Sequence, residues 1–231
     1  MRGLVRVGAA VPSLALGNVK ENMKRHLAMM REAKEKHVSI VTFPELSLTG
    51  YTCGDLFFQR RLLDDVTDAL LALKDEMPEG ILAVVGAPLE IEGALYNCAV
   101  VLHKGEIISA VPKTFLPNNG EFYEKRWFQS GDARRDASVA IPKLKTDVCR
   151  QAIFETEDGV RFGIELCEDL WAPLPPSTML SVEGAEIILN LSASNELLSK
   201  REYRQQLISQ QSARCQCGYV YVSAGMGESS S

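Results

Sequence analysis

Hydrophobic residues recur along this chain in two rhythms. Short runs rich in Val and Ile, bounded by Gly, Pro or charge, occupy residues 4–11, 38–43, 81–87, 96–102, 107–111, 160–166, 187–191 and 219–224. Runs of that length and composition predict β-strands. Longer segments repeat their apolar positions at helical spacing. In the first, Asn18 stands as N-cap with Glu21 placed to return the bond, ahead of a face made by Met23, Leu27, Met30 and Ala33. In the second, Leu63, Val66, Leu70 and Leu73 line up. The third opens on the capping-box pattern Ser199-Lys200-Arg201-Glu202 and reaches about Cys215. A shorter helix is expected from Ser177, just past a proline-rich bend, to Gly184.

Strands joined by helices alternate here with strands joined by turns, such as His103-Lys104-Gly105-Glu106. That order predicts an α/β layered fold with a mixed sheet. No linker or low-complexity tract divides the chain, so residues 1–231 read as one domain.

Composition narrows the function classes. With 231 residues and 46% hydrophobic content the chain reads as an ordinary globular protein. A net charge of -5 argues against a nucleic-acid surface. No apolar run approaches the length of a membrane span, and the N-terminus reads as a first strand, not a signal peptide. Six cysteines in a chain of this size suggest reduced thiols and a cytoplasmic setting. Cys215 and Cys217 stand two apart and histidines are few, so no metal site is expected.

The candidate chemistry sits where apolar runs end. Residues 160–166 deliver Cys167, followed at once by Glu168 and Asp169 and then a Pro-rich bend. A thiol so placed is either a nucleophile on a rigid support or a small buried hydrophobe. Val41-Thr42-Phe43 leads into Pro44-Glu45, and residues 108–111 lead into Pro112-Lys113. If these ends share one sheet edge, Glu45, Lys113 and Cys167 converge. Glu45 would take the thiol proton and later return it to a leaving amine. Lys113, with the backbone N–H of Glu168, would face the oxyanion. The alternative for Glu45 and Lys113 is a structural ion pair. No histidine is placed for a Cys-His arrangement.

Three segments resemble the signatures of the nitrilase, or carbon–nitrogen hydrolase, superfamily. They are Phe43-Pro44-Glu45-Leu46-Ser47-Leu48-Thr49-Gly50-Tyr51, Pro112-Lys113-Thr114-Phe115-Leu116-Pro117 and Cys167-Glu168-Asp169-Leu170-Trp171. The finer resemblance is to the N-terminal glutaminase domain of the glutamine-dependent NAD+ synthetases. It rests on Tyr51-Thr52-Cys53-Gly54-Asp55-Leu56-Phe57, on the Cys-Glu-Asp-Leu-Trp run leading to Pro175-Pro176-Ser177, and on Arg214-Cys215-Gln216-Cys217-Gly218-Tyr219-Val220-Tyr221 before Gly227-Glu228-Ser229.

The resemblance implies an α-β-β-α sandwich with mixed sheets and a Glu45–Lys113–Cys167 triad. It implies hydrolysis of L-glutamine to glutamate and ammonia through a Cys167 thioester, with no cofactor for that step. Asn119, Phe122, Glu168, Ser194 and Lys200 would hold the substrate, with Glu121 keeping Lys113 charged and oriented and Tyr51 in support. Two positions depart from the pattern: Asn119 stands where some relatives carry tyrosine, and Lys200 where they carry arginine. Lysine cannot make the two-pronged contact of a guanidinium with a carboxylate.

In this family the ammonia passes to a synthetase domain that uses ATP and Mg2+ to amidate deamido-NAD+. No Ser-Gly-Gly-x-Asp-Ser-type pyrophosphate loop occurs, so the chain reads as an incomplete hydrolase domain, truncated at its C-terminal end, whose missing part is a partner. Homo-oligomers are expected, since domains of this kind pair through helices. A stand-alone amidase acting on a small aliphatic amide or N-carbamoyl compound, and a non-catalytic assembly module, are the competing readings.

Overall fold

The computed structural model describes residues 4–133 and 138–228. Met1 to Gly3, at the head of the expected first strand, and Ser229 to Ser231, at the end of the polar tail, lie outside the described residues.

Two mixed sheets form the centre. The larger runs β1-β2-β3-β4-β5-β7-β6 and the smaller β11-β10-β9-β8. In chain order these are β1 (Val7–Ala9), β2 (Ile40–Thr42), β3 (Leu82–Ile91), β4 (Ala94–His103), β5 (Glu106–Pro112), β6 (Ser138–Ile141), β7 (Thr146–Cys149), β8 (Ile153–Glu155), β9 (Arg161–Leu166), β10 (Ile187–Ser192) and β11 (Gly218–Ser223). Eight match the expected runs, although the first spans only Val7–Ala9. Strands β6, β7 and β8 are additions to the expectation.

Between the sheets, Ile40, Val84, Val101 and Val111 of the larger pack on Phe162, Ile164, Leu189 and Leu191 of the smaller. Helices α1 (Val19–Glu35) and α2 (Arg60–Glu76) cover the outer face of the larger sheet, burying Leu27, Met30, Val66, Leu70 and Leu73. Helices α3 (Pro176–Val182) and α4 (Lys200–Cys215) flank the smaller sheet, where Leu180 meets Ile188. The layers are therefore α-β-β-α. Asn18 caps α1 by accepting from the Glu21 N–H at 3.1 Å. Glu21 does not return the bond; its carboxylate accepts from Arg25. The expected box on α4 does not close either, because Ser199 takes φ +64° and its side chain makes no capping bond.

Topology decides where strand ends go. β2 is parallel to β3, and β3, β4 and β5 alternate, so β2 and β5 point the same way. β9, β10 and β11 are mutually parallel. The Glu45 N–H donates to the Ser192 carbonyl at 3.3 Å, which ties the C-terminal end of β2 to that of β10. The C-terminal ends of β2, β5, β9 and β10 thus meet along one edge of the sandwich.

Candidate active site

Glu45 follows β2 by three residues, Lys113 follows β5 directly, and Cys167 follows β9 directly. Lys113 Nζ donates to Glu45 Oε1 and to Glu124 Oε1, each at 2.6 Å, and all three side chains are buried. Here the structure corrects the sequence reading. Glu124, not Glu121, is the second carboxylate on Lys113; Glu121 is exposed and lines the cavity outside. Tyr51 supports this arrangement through its hydroxyl, which donates to Glu124 Oε1 at 2.7 Å.

Further partners fix the Glu45 carboxylate. Asn97 on β4 donates Nδ2 to Oε1 at 2.7 Å, and the Ala193 N–H just past β10 donates to Oε2 at 3.0 Å. The same backbone group at Ala193 faces the Cys167 sulfur. Asp169 joins the other two corners. Its Oδ1 accepts from Thr114 N at 3.1 Å and Phe115 N at 2.7 Å, and its Oδ2 from Leu166 N at 2.9 Å. The chain after Lys113 is thereby pinned to the turn that carries Cys167. The sequence reading assigns no role to Asn97, Glu124, Asn190 or Asp169, although Asp169 stands in the run after Cys167. A buried asparagine inside an apolar run such as Tyr96-Asn97-Cys98 was the available signal.

Electrostatics follow from burial. Burial pushes the Cys167 thiol up to about 12, with Glu45 adding to the shift and Lys113 opposing it. The resting sulfur is therefore a thiol, and it could act as a nucleophile only if an adjacent base drew off its proton. For Lys113, burial disfavours the ammonium, but Glu124 and Glu45 outweigh it and hold the group charged. Burial raises Glu124 to about 7, against the pull of Lys113. Cys167 itself adopts φ +44°, a left-handed conformation uncommon for cysteine. Such strain at a strand end is a mark of functional sites.

A cavity of about 330 Å³ is lined by Cys167 together with Asn119, Phe122, Glu168, Ser194, Lys200 and Trp171. All five residues expected to hold substrate are therefore brought together around Cys167. Lys200 Nζ stands 5.7 Å from the Phe122 ring centre and 5.4 Å from that of Trp171, and donates to Asn195 Oδ1. Half-buried Glu168 is raised, first by burial, with Lys113 and Lys200 pulling it down. One turn beyond Lys200, Arg204 Nη1 donates to Ser194 Oγ at 3.2 Å. A second recess of about 280 Å³ shares Phe122 and Ser194 and holds Tyr51 and Glu228. Glu228 accepts from the backbone N–H groups of Tyr51 and Thr52, at 2.7 and 2.9 Å. Among the described residues no cluster suited to a metal ion occurs, and no helix is long and apolar enough to cross a membrane.

An α-β-β-α sandwich with an acid, an ammonium and a thiol at one edge defines a class of hydrolytic fold, and comparison with known proteins agrees. Residues 6–230 match the family model described as carbon-nitrogen hydrolase, and the chain belongs to that family. It is 38% identical over 230 residues to the glutamine-dependent NAD(+) synthetase of Mycobacterium tuberculosis, covering 98% of this chain and 34% of that protein. The chain thus spans about a third of the length of such relatives. The solved glutamine-dependent NAD(+) synthetase of Cytophaga hutchinsonii superposes with a TM-score of 0.83 at 29% identity, over 95% of this chain and 36% of that one. A Nesterenkonia amidase of the nitrilase superfamily shares the fold, with a TM-score of 0.76 at 16% identity over 97% of this chain and 78% of that one.

Proposed function

We propose that this chain hydrolyses L-glutamine to glutamate and ammonia. Within the longer enzymes it resembles, residues 1–231 would be part of the carbon-nitrogen hydrolase domain, and the ammonia would serve ATP-dependent amidation of deamido-NAD+ by a synthetase domain. ATP and Mg2+ belong to that second step. The observation that carries the substrate is charge. Glu168 and Lys200 line the same cavity as Cys167, and an amino acid presents one ammonium and one carboxylate to match them. Asn119 and Ser194 add neutral polar contacts, and Phe122 packs the aliphatic stem.

In the first half-reaction Glu45 accepts the Cys167 proton as sulfur attacks the amide carbon. Lys113 Nζ and the Glu168 N–H face the developing oxyanion, a contribution of roughly 3 kcal/mol per donor. Glu45 then protonates the departing nitrogen, which leaves as ammonia, and a thioester remains. In the second half Glu45 takes a proton from water, water attacks the thioester, and the proton returns to sulfur as glutamate leaves. Glu124 keeps Lys113 charged and directed, and Tyr51 holds Glu124.

The test is ammonia release from glutamine by the wild type and by Cys167→Ala, with aliphatic amides as competing substrates. Release from glutamine that vanishes in the variant supports the proposal. Equal turnover of unrelated aliphatic amides would assign the chain to the stand-alone amidases instead. Labelling of Cys167 by a glutamine-mimicking electrophile no faster than that of the other cysteines would favour a non-catalytic module.

A further inference from the structure

Behind Cys167, on the side away from the cavity, lies a buried polar chain for which the chemistry above has no use. Glu165, two residues upstream on β9, is wholly buried in the smaller sheet. Its Oε2 accepts from the Ser177 N–H at 2.8 Å, and its Oε1 accepts from the Tyr219 hydroxyl. The Tyr219 oxygen accepts from Asn190 Nδ2 at 3.0 Å. Asn190 Oδ1 then accepts from the Cys167 N–H at 3.2 Å and from Ser192 Oγ at 2.7 Å. β9, β10 and β11 lie side by side, with Asn190 opposite Glu165 and Tyr219 two residues out of register with it, so the chain of bonds runs from β10 out to β11 and back to β9.

The direction of every bond in this line is set from one end. The Tyr219 hydroxyl donates to Glu165, whose carboxyl burial pushes above the usual carboxylate range while the bonds from Tyr219 and Ser177 pull it down. Its oxygen is then left to accept, which, together with the Glu165 carboxylate facing Asn190 across the strands, draws the amine side of Asn190 and turns the amide oxygen toward Cys167. A flipped Asn190 would set an N–H donor against the Cys167 N–H. Cys167 is also the residue at φ +44°, and its backbone angles aim both the sulfur and the following Glu168 N–H. We propose that Asn190 is a positioning residue for Cys167, oriented through Tyr219 by Glu165, and that this line holds the strained turn in its reactive form. The proposal deepens the glutaminase reading and rests on Cys167 as the nucleophile.

Asn190→Leu is the obvious variant, but Asn190 is fully buried and its loss endangers the fold. Tyr219→Phe removes only the hydroxyl of a half-buried ring and leaves the sheet intact. Expected for Tyr219→Phe are a thermal midpoint lowered by several degrees with unfolding still cooperative, because buried Glu165 and Asn190 each lose a partner, together with kcat for glutamine lowered about tenfold and KM unchanged. Labelling of Cys167 by a glutamine-mimicking electrophile slows by the same factor, whereas labelling of Cys149 by iodoacetamide does not change. Native-state hydrogen exchange at the Cys167 amide becomes faster. An unchanged Cys167 labelling rate together with unchanged amide exchange would overturn the proposal. Failure of the glutaminase reading shows itself separately, as a wild type whose Cys167 is not labelled preferentially. In that case amide exchange alone decides whether the line holds Cys167.

Discussion

The Lys113 ammonium lies 2.6 Å from Glu45 Oε1 with both side chains withdrawn from solvent, and a second carboxylate, Glu124, meets it at the same distance. One buried cation therefore balances two buried acids. Such groups are costly to isolate, and removing one partner of a buried pair costs about 3–5 kcal/mol. Lys113→Met is expected to lose that much stability in urea at neutral pH, as well as the proposed glutaminase activity. The deficit should shrink as pH falls, because the stranded carboxylates take up protons. Equal stability of variant and wild type at pH 7 would show that the pair is not held as described.

Asn97 serves both members of this pair. Its Nδ2 donates to Glu45 Oε1 at 2.7 Å, and its backbone carbonyl accepts the Lys113 backbone N–H at 2.8 Å. Asn97→Asp keeps the shape but replaces a donor with a negative charge against Glu45. Two carboxylates in contact hold a proton to higher pH than one alone. The acid limb of the pH profile of kcat/KM should therefore move to higher pH, with activity at pH 7 reduced at least tenfold. A profile superimposable on the wild type would remove Asn97 from the account.

What the linear sequence disclosed follows from what is local in it. The end of an apolar run is a local property, so Glu45, Lys113 and Cys167 stood out as charged or nucleophilic residues at strand ends. Whether those ends share an edge depends on strand order, which the run lengths do not contain. Glu121 and Glu124 lie three apart after Lys113, and nothing in the spacing says which one turns inward. The choice is made by Phe128, whose burial and N–H···O bond to Glu124 draw that part of the loop into the core. Strands β6, β7 and β8 escaped notice because each has three or four residues, interrupted by Asp147 or ended by Glu155. Their pairing within the sheets, not their own composition, makes them strands.

Gly86 offers a test of how closely Glu45 must be placed. It sits on β3 beneath the residues that follow β2, and a Cβ there would lie 2.3 Å from the Pro44 carbonyl oxygen and 2.4 Å from the Leu46 nitrogen. Both are backbone atoms flanking Glu45, so no side chain can swing aside to make room. Gly86→Ala must displace the segment that carries the carboxylate. Misplacement of a reacting group by about 1 Å costs on the order of 100-fold in rate. The expected result is kcat reduced by about that factor in protein that still folds cooperatively. An alanine variant of full activity would show that the Glu45 segment tolerates movement.

The same segment is buttressed from α1, and this gives the fold a dependence on pH. His26 is fully buried against Phe43, with ring centres 4.3 Å apart. Burial lowers it to about 4. The neutral ring donates Nδ1–H to the Asn22 carbonyl at 2.7 Å, which leaves Nε2 to accept the Ser47 hydroxyl at 2.9 Å. Ser47 lies two residues past Glu45, so protonating the ring disturbs the support of the carboxylate. In the unfolded chain this histidine titrates near 6.5. Between that pH and about 4 the unfolded state binds a proton that the folded state does not, so stability falls as pH falls through the window. The loss attributable to His26 is about 3 kcal/mol by the lower end. Unfolding free energies from urea titrations at pH 7, 5.5 and 4 should therefore fall less steeply in His26→Gln than in the wild type. Parallel slopes in the two proteins would mean that His26 takes up its proton at the same pH in the fold as in the unfolded chain, so that burial does not hold the ring neutral.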